Sequence, residues 1–167
     1  MCHRQRYFNA HGIYSDKLHD VKDIPDGATI AIPNDPTNGG RGLLLLQRAG
    51  LLKLKDGVGM KATPKDVVDN PKHLKFKELE AAQLPRSLAD VDAAAITMNY
   101  VMSGGLDVKK QNIFLEPKDE PLAVMIIAAR NKDKDKEAYK AFVKAYQSEA
   151  VKKFIADKYK GTIEPAF

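Results

Sequence analysis

Arg41 carries the chemistry that stands out in this chain of 167 residues. A guanidinium is planar, always charged and forked, the shape that matches a carboxylate or a phosphate. Asn34, Asn38, Gly39 and Gly40 stand just before it. The two amide side chains can donate or accept, and the glycines let a backbone approach a ligand closely. Outward-facing N–H groups from Thr37 to Arg41 would complete a cradle for an anion. No Gly-Lys-Ser/Thr follows, so the stretch is not a P-loop. An ordinary capped helix with a surface arginine fits the same residues, and spacing alone does not choose between the two.

Two elements must position these groups. Ala28 to Ile32, with β-branched Thr29, Ile30 and Ile32 and a closing Pro33, reads as a strand. Asn34 to Gly40 is dense in turn-forming residues and reads as a loop. Arg41 to Ala49 contains four consecutive leucines and stops at Gly50, which predicts a buried helix with a glycine just past its end. Strand, polar loop and helix make the first half of a βαβ unit. Open α/β sheets bind ligands at such loops, outside the carboxyl ends of the strands.

Further along, Thr63-Pro64 opens a short helix through Asp69. Leu74 and Phe76 alternate with lysines as a half-buried strand, and Glu80 to Ala89 is helical in two pieces around Pro85. Asp92 to Tyr100 predicts a buried strand, Tyr100 to Leu106 a short helix, and Ile113 to Glu116 a short strand. Pro121 to Ala129 is apolar enough for a strand covered on both faces. From Asp135 the tail is amphipathic: Tyr139, Phe142, Val143 and Tyr146 share one helical face, Val151, Phe154 and Ile155 another, and Gly161 ends the second helix.

Composition narrows the function. Hydrophobic content of 44% and charged content of 29% are ordinary for a globular chain. The net charge of +5 comes from lysines spread along helices, so a solvated lysine face accounts for it and no nucleic-acid partner is expected. The single cysteine, Cys2, excludes an internal disulfide and a thiolate metal cluster. His3, His11, His19 and His73 have no metal-ligand spacing. Ser15 and Ser87 lack companion His and Asp residues in a nucleophile-elbow context. No catalytic residue, metal or cofactor is expected, and the chain does not read as an enzyme. No run approaches the ~20 apolar residues of a membrane span, and the polar opening MCHRQRYFNAH has no apolar signal-peptide core.

Gly12-Ile13-Tyr14-Ser15, Ile24 to Asn38, Gly40-Arg41 with the leucine run, Leu74 to Leu79, Leu84-Pro85-Arg86, Asp90 to Ala94, Asn99-Tyr100 and Lys158 to Gly161 form one long colinear pattern. On these residues the chain resembles the methionine-binding lipoprotein family, the extracytoplasmic substrate-binding subunits of methionine-type ABC importers. The resemblance implies an α/β fold: a periplasmic-binding-protein-like lobe, with a mixed sheet and flanking helices, at residues 16–120. A first crossing strand and an unmatched N-terminus occupy 1–15, and a returning crossing strand with a C-terminal helical pair occupies 121–167, most of the first lobe being absent. The returning strand is expected beside the one ending at Tyr14-Ser15. The implied function is noncovalent capture of methionine, or a related amino acid or short peptide, through its carboxylate. The implied partners are ABC permease and ATPase subunits, at the cell envelope. The alternative is a truncated remnant of such a protein that binds no ligand and self-associates. The apolar faces around Phe142 and Phe154, without their usual sheet, are expected to repack or to form a homo-oligomer.

By the same resemblance Arg41 grips the ligand carboxylate, supported by Asn38 and the backbone of Gly39 and Gly40. Asn99 and Tyr100 fall at the end of a strand facing the ligand cleft, although Tyr100 reads equally well as core. Family members commonly carry Asn where Thr97 and Val124 stand, both contacting the amino-acid head group. Thr97 keeps a hydroxyl able to accept from an ammonium, and Val124 offers no polar side chain. Loss of a hydrogen bond to a charged group costs about 1.5–3 kcal/mol, roughly ten- to a hundredfold in affinity. The expectation is therefore a ligand other than methionine, or weak binding. His11 is offset from the family's usual histidine and takes no role from it.

Overall fold

The computed structural model describes residues 2–117, 123–159, 163–165 and 167, residues 2–8 by their backbone alone. In chain order the strands are β1 (Cys2–Phe8), β2 (His11–Tyr14), β3 (Thr29–Pro33), β4 (Lys53–Leu54), β5 (Val67–Asp69), β6 (Lys75–Leu79), β7 (Ala93–Thr97), β8 (Asn112–Leu115), β9 (Val124–Ala129) and β10 (Glu164–Pro165). The helices are α1 (Pro36–Arg48), α2 (Leu84–Ser87), α3 (Met98–Ser103), α4 (Val108–Gln111), α5 (Glu137–Tyr146) and α6 (Glu149–Tyr159). One compact unit runs from His11 to Glu116, and a second is formed by Met1–Ala10 with Pro117–Phe167. The chain enters the first unit at β2 and leaves it just after β8. The lobe boundary expected at residue 120 lies outside the described residues.

The His11–Glu116 unit is built on a five-stranded sheet in the order β6-β3-β7-β2-β8. β3 runs parallel to β6 and β7, whereas β2 runs antiparallel to both β7 and β8. This is the mixed sheet with flanking helices expected from the sequence. The near-continuous apolar runs TIAIP and AAAIT become β3 and β7, and every residue of β7 is buried, as a central strand covered on both faces requires. β6 alternates exposed lysines with half-buried Phe76 and lies at the sheet's edge. The β7 strand stops at Thr97, and α3 begins at Met98, so the expected strand through Tyr100 is three residues too long. The helix expected from Thr63 to Asp69 is a single 3-10 turn, Pro64–Asp66, that feeds directly into β5.

Helix α1 starts at Pro36, not at Arg41. Asp35 is its N-cap: the carboxylate accepts from the Asn38 N–H at 2.9 Å, and the Asp35 carbonyl accepts from the Gly39 N–H at 2.8 Å. An Asp cap followed by Pro at the first position is a strong start signal, and it outweighs the helix cost of the two glycines that follow. The far end is as expected. Gly50 takes a φ of 76° and donates to the Gln47 carbonyl at 2.9 Å, while Leu51 donates to Leu46 at 3.0 Å, the paired bonds of a Schellman ending. Leu43, Leu45 and Leu46 are buried against the sheet.

The glycines of α1 have a packing role. A Cβ on Gly39 would lie 2.6 Å from the Pro33 carbonyl oxygen, and one on Gly40 would lie 2.2 Å from the Met60 carbonyl oxygen. Their missing side chains let the first turns of α1 close onto the end of β3 and onto the 3-10 turn Gly59–Lys61.

In the other unit β9 pairs antiparallel with β1, in a three-stranded sheet ordered β10-β1-β9. Two expectations are corrected here. The returning strand lies beside β1 and not beside β2, and it is not covered on both faces: Met125 is 39% and Ile126 48% exposed, and as neighbours in a strand they point to opposite faces. Pro121, at the start of the expected strand, and Gly161, the expected helix stop, lie outside the described residues. The amphipathic tail forms α5 and α6 as the spacing predicts, with Ile155 buried and Tyr139, Phe142 and Phe154 exposed. Among the described residues no helix is long and apolar enough to cross a membrane.

Candidate functional site

Strand directions decide which residues can meet. β3, β7 and β8 all point the same way and β2 points against them. The ends of β7 and β8, the start of β2 and the start of α1 therefore lie along one edge of the sheet, the carboxyl edge at which open α/β sheets hold ligands. Four polar side chains converge there, all buried: His11 at 0% exposure, Arg41 and Thr97 at 4% and Glu116 at 5%.

Arg41 and Glu116 form a two-point ion pair. The guanidinium Nε donates to Glu116 Oε1 at 2.9 Å, and a terminal nitrogen donates to Oε2. Glu116 Oε2 also accepts from the His11 backbone N–H at 2.6 Å, and the Glu116 N–H donates to the His11 carbonyl at 2.9 Å. One carboxylate thus ties the first residue of the unit, the last residue and helix α1 together. The surface-arginine reading is overturned. So is a guanidinium standing open to a ligand, since Glu116 already holds the fork and an incoming carboxylate must share or displace it.

Across the β2–β7 ladder His11 pairs with Thr97, so their side chains share a face of the sheet. Neither ring nitrogen of His11, nor the Thr97 hydroxyl, meets a partner at full hydrogen-bond geometry among the described residues, although the Ala95 backbone stands close enough to the imidazole to favour its protonated form. Burial first, then the positive charge of Arg41, pushes the His11 imidazole down to about 3, against a weaker opposing pull from the Ala95 carbonyl and the Asp35 charge. The ring is neutral throughout the physiological range. It presents one donor and one acceptor.

The cradle of outward backbone amides does not form as expected. Asp35 takes the Asn38 and Gly39 N–H groups, and the Asn38 side chain donates to both Asp35 carboxylate oxygens, at 3.2 and 3.0 Å. The residues that look like a ligand loop in the sequence are the first turns of a capped helix. Asn99, exposed, and Tyr100, half-buried, follow Thr97 on α3. Val124 sits half-buried on β9 in the other unit, opposite Phe8. The structure brings Arg41 and Thr97 into one cluster and adds two groups the sequence reading passes over, His11 and Glu116. Glu116 lies 105 residues from His11 and 75 from Arg41. The one local hint is an acidic residue ending the apolar strand Ile113 to Glu116. Among the described residues no group of three or more His, Cys, Asp or Glu side chains could hold a metal ion.

The profile described as NlpA lipoprotein matches residues 4–167. The chain is 53% identical over 140 residues to the D-methionine-binding lipoprotein MetQ of Escherichia coli O157:H7, a match covering 83% of this chain and 51% of that protein. It is 46% identical over 156 residues to Lipoprotein 28 of Escherichia coli K12, covering 92% of this chain and 57% of that one. Among solved structures, a nutrient binding protein from Burkholderia cenocepacia bound to methionine superposes with a TM-score of 0.90 at 49% identity, over 98% of this chain and 68% of that chain. The chain spans about half the length of the curated relatives it matches.

Proposed function

The chain belongs to the NlpA lipoprotein family, and from that premise we propose that it is a substrate-binding component of an ABC importer. Its ligand is methionine, or a related amino acid or short peptide, held without covalent chemistry. The observation that carries this reading is the convergence of Arg41, Glu116, His11 and Thr97 at the carboxyl edge of the sheet, where α/β sheets receive ligands. The ligand carboxylate docks on Arg41, exchanging with or lying beside Glu116. Asn99 and Tyr100 shape the approach from α3. Permease and ATPase subunits are the partners, and the cell envelope is the place of work.

A thermal-shift series with L- and D-amino acids and methionine-containing dipeptides tests the proposal. A ligand that binds only the folded state contributes about 2.7 kcal/mol at a hundredfold excess over its Kd, or roughly 5–10 °C for a chain of this size. No shift with any of them overturns the reading. A second reading, a family member that binds no ligand and self-associates, is favoured by the exposure of Phe142 at 53% and Phe154 at 55%. In that case the melting point ignores every amino acid and instead rises with protein concentration.

A further inference from the structure

We propose that the face built by α5 and the residues around it docks on the surface of an anionic lipid bilayer. The proposal goes beyond the function above and stands whether or not the chain holds an amino acid. Charge is the first observation. Nine basic and five acidic side chains lie between Arg130 and Tyr159, so this stretch holds four of the chain's five net positive charges. The ion pairs Lys136–Asp133, Lys140–Glu137, Lys152–Glu149 and Lys153–Asp157 offset four of its lysines. That leaves five exposed cations, Arg130, Lys132, Lys134, Lys144 and Lys158, against one further carboxylate, Asp135.

The second observation is an amphipathic helix whose apolar face is open. α5 buries none of its residues. Tyr139 is 45% and Phe142 53% exposed, and Val143 and Tyr146 on the same helical face are only half-buried. The third is that rings and cations share one surface. Lys134, Lys144, Tyr139, Phe142 and Val143 line a single open groove beside Ile127 of β9. On α6 the Lys158 ammonium stands 5.3 Å from the centre of the Phe154 ring, itself 55% exposed.

A helix with aromatic and apolar side chains on one face and lysines beside them lies in the plane of a bilayer interface. The rings enter the boundary of the acyl chains, and the flexible lysine stems carry their ammonium groups up to the lipid phosphates. At ten residues α5 is far too short to span a bilayer and suited to lying on one. Exposure of Phe142 and Phe154 by itself would fit a second copy of the chain as well. Charge decides between them: two copies meeting on this face would set like charges together, whereas an anionic leaflet attracts every cation within a Debye length of it. Four of the five excess cations are lysines, compact point charges that suit a fluid array of phosphates better than one fixed planar partner.

The chain has no tryptophan, so Phe142→Trp places a reporter on α5. Val68→Trp, at a position 60% exposed in the other unit, is the control. Each variant of the whole chain is mixed with vesicles of equal parts phosphatidylcholine and phosphatidylglycerol, with vesicles of phosphatidylcholine alone, and with double-stranded DNA. The expected result is a blue-shifted emission from Phe142→Trp with the anionic vesicles only, none from Val68→Trp, and cosedimentation that weakens as salt is raised. Lys134→Gln with Lys144→Gln, both at exposed positions, is expected to lower vesicle affinity about thirtyfold while leaving the melting point unchanged. A blue shift that appears without vesicles and grows with protein concentration assigns the face to a second copy and overturns the proposal. So does equal binding to neutral and anionic vesicles, a response to DNA that matches the response to anionic vesicles, or no binding to vesicles at all.

Discussion

Glu116→Ala is expected to destabilise the His11–Glu116 unit by about 3–5 kcal/mol, the cost of removing one member of a buried ion pair. Arg41 is 4% exposed and its fork is held at two points by Glu116. Truncation would take away both oxygens that hold the fork and also the acceptor of the His11 N–H. A small, largely buried unit cannot absorb such a loss easily, because whole domains are stable by only about 5–15 kcal/mol. Removing both charges with apolar residues of similar size, as in Arg41→Met with Glu116→Leu, is expected to cost far less than either single truncation. Urea denaturation of the two single variants and the double variant gives the coupling directly. A Glu116→Ala loss below about 1 kcal/mol would mean the pair is screened by water, and the buried clasp would have to be abandoned.

Gly40→Ala should cost about 3 kcal/mol, the upper end of what overpacking usually costs. In a helix interior Ala is normally better than Gly by about 1 kcal/mol, so propensity alone predicts the opposite sign. Contact decides it. The added Cβ would lie 2.2 Å from the Met60 carbonyl oxygen and 2.7 Å from its carbon, and these are backbone atoms that no rotamer change can move aside. The relief would have to come from shifting α1, which carries Arg41, or the Gly59–Lys61 turn. Equilibrium denaturation without any ligand measures this effect. A neutral or stabilising Gly40→Ala would restore the idea that this glycine serves a ligand's approach instead of the helix's own packing.

Much of the scaffold is legible in the residues themselves. The β-branched run from Thr29 to Ile32, the leucines of α1 with Gly50 after them, and the small apolar residues of β7 each announce a buried element, since burial and local pattern coincide there. The site is legible only in part. Arg41 is conspicuous, but the residues around it are assembled by strand order, which places the start of β2 beside the ends of β7 and β8. His11 looks unremarkable in a polar segment, and Glu116 looks like the end of a short strand. Their pairing depends on a β2–β8 register that no short window of sequence contains. The start of α1 is misread for a different reason. Asn, Asp, Pro and Gly are turn formers, yet Asp35 and Pro36 are also the cap and first residue of a helix, and the two signals share the same letters. The β9 strand shows a third limit. An apolar run reveals that a segment is fit for burial but does not reveal whether another element lies over each face, and here Met125 and Ile126, on opposite faces, are both exposed.

The most direct measurement is an amide-resolved nuclear magnetic resonance titration of the chain with the amino acid giving the largest thermal shift. Saturable perturbations concentrated at the amides of His11, Thr97 and Glu116, together with the Nε–H of Arg41, are the predicted result. Perturbations confined to β9 and α5, with those four groups unmoved at saturation, would contradict the placement of the ligand at the carboxyl edge of the sheet.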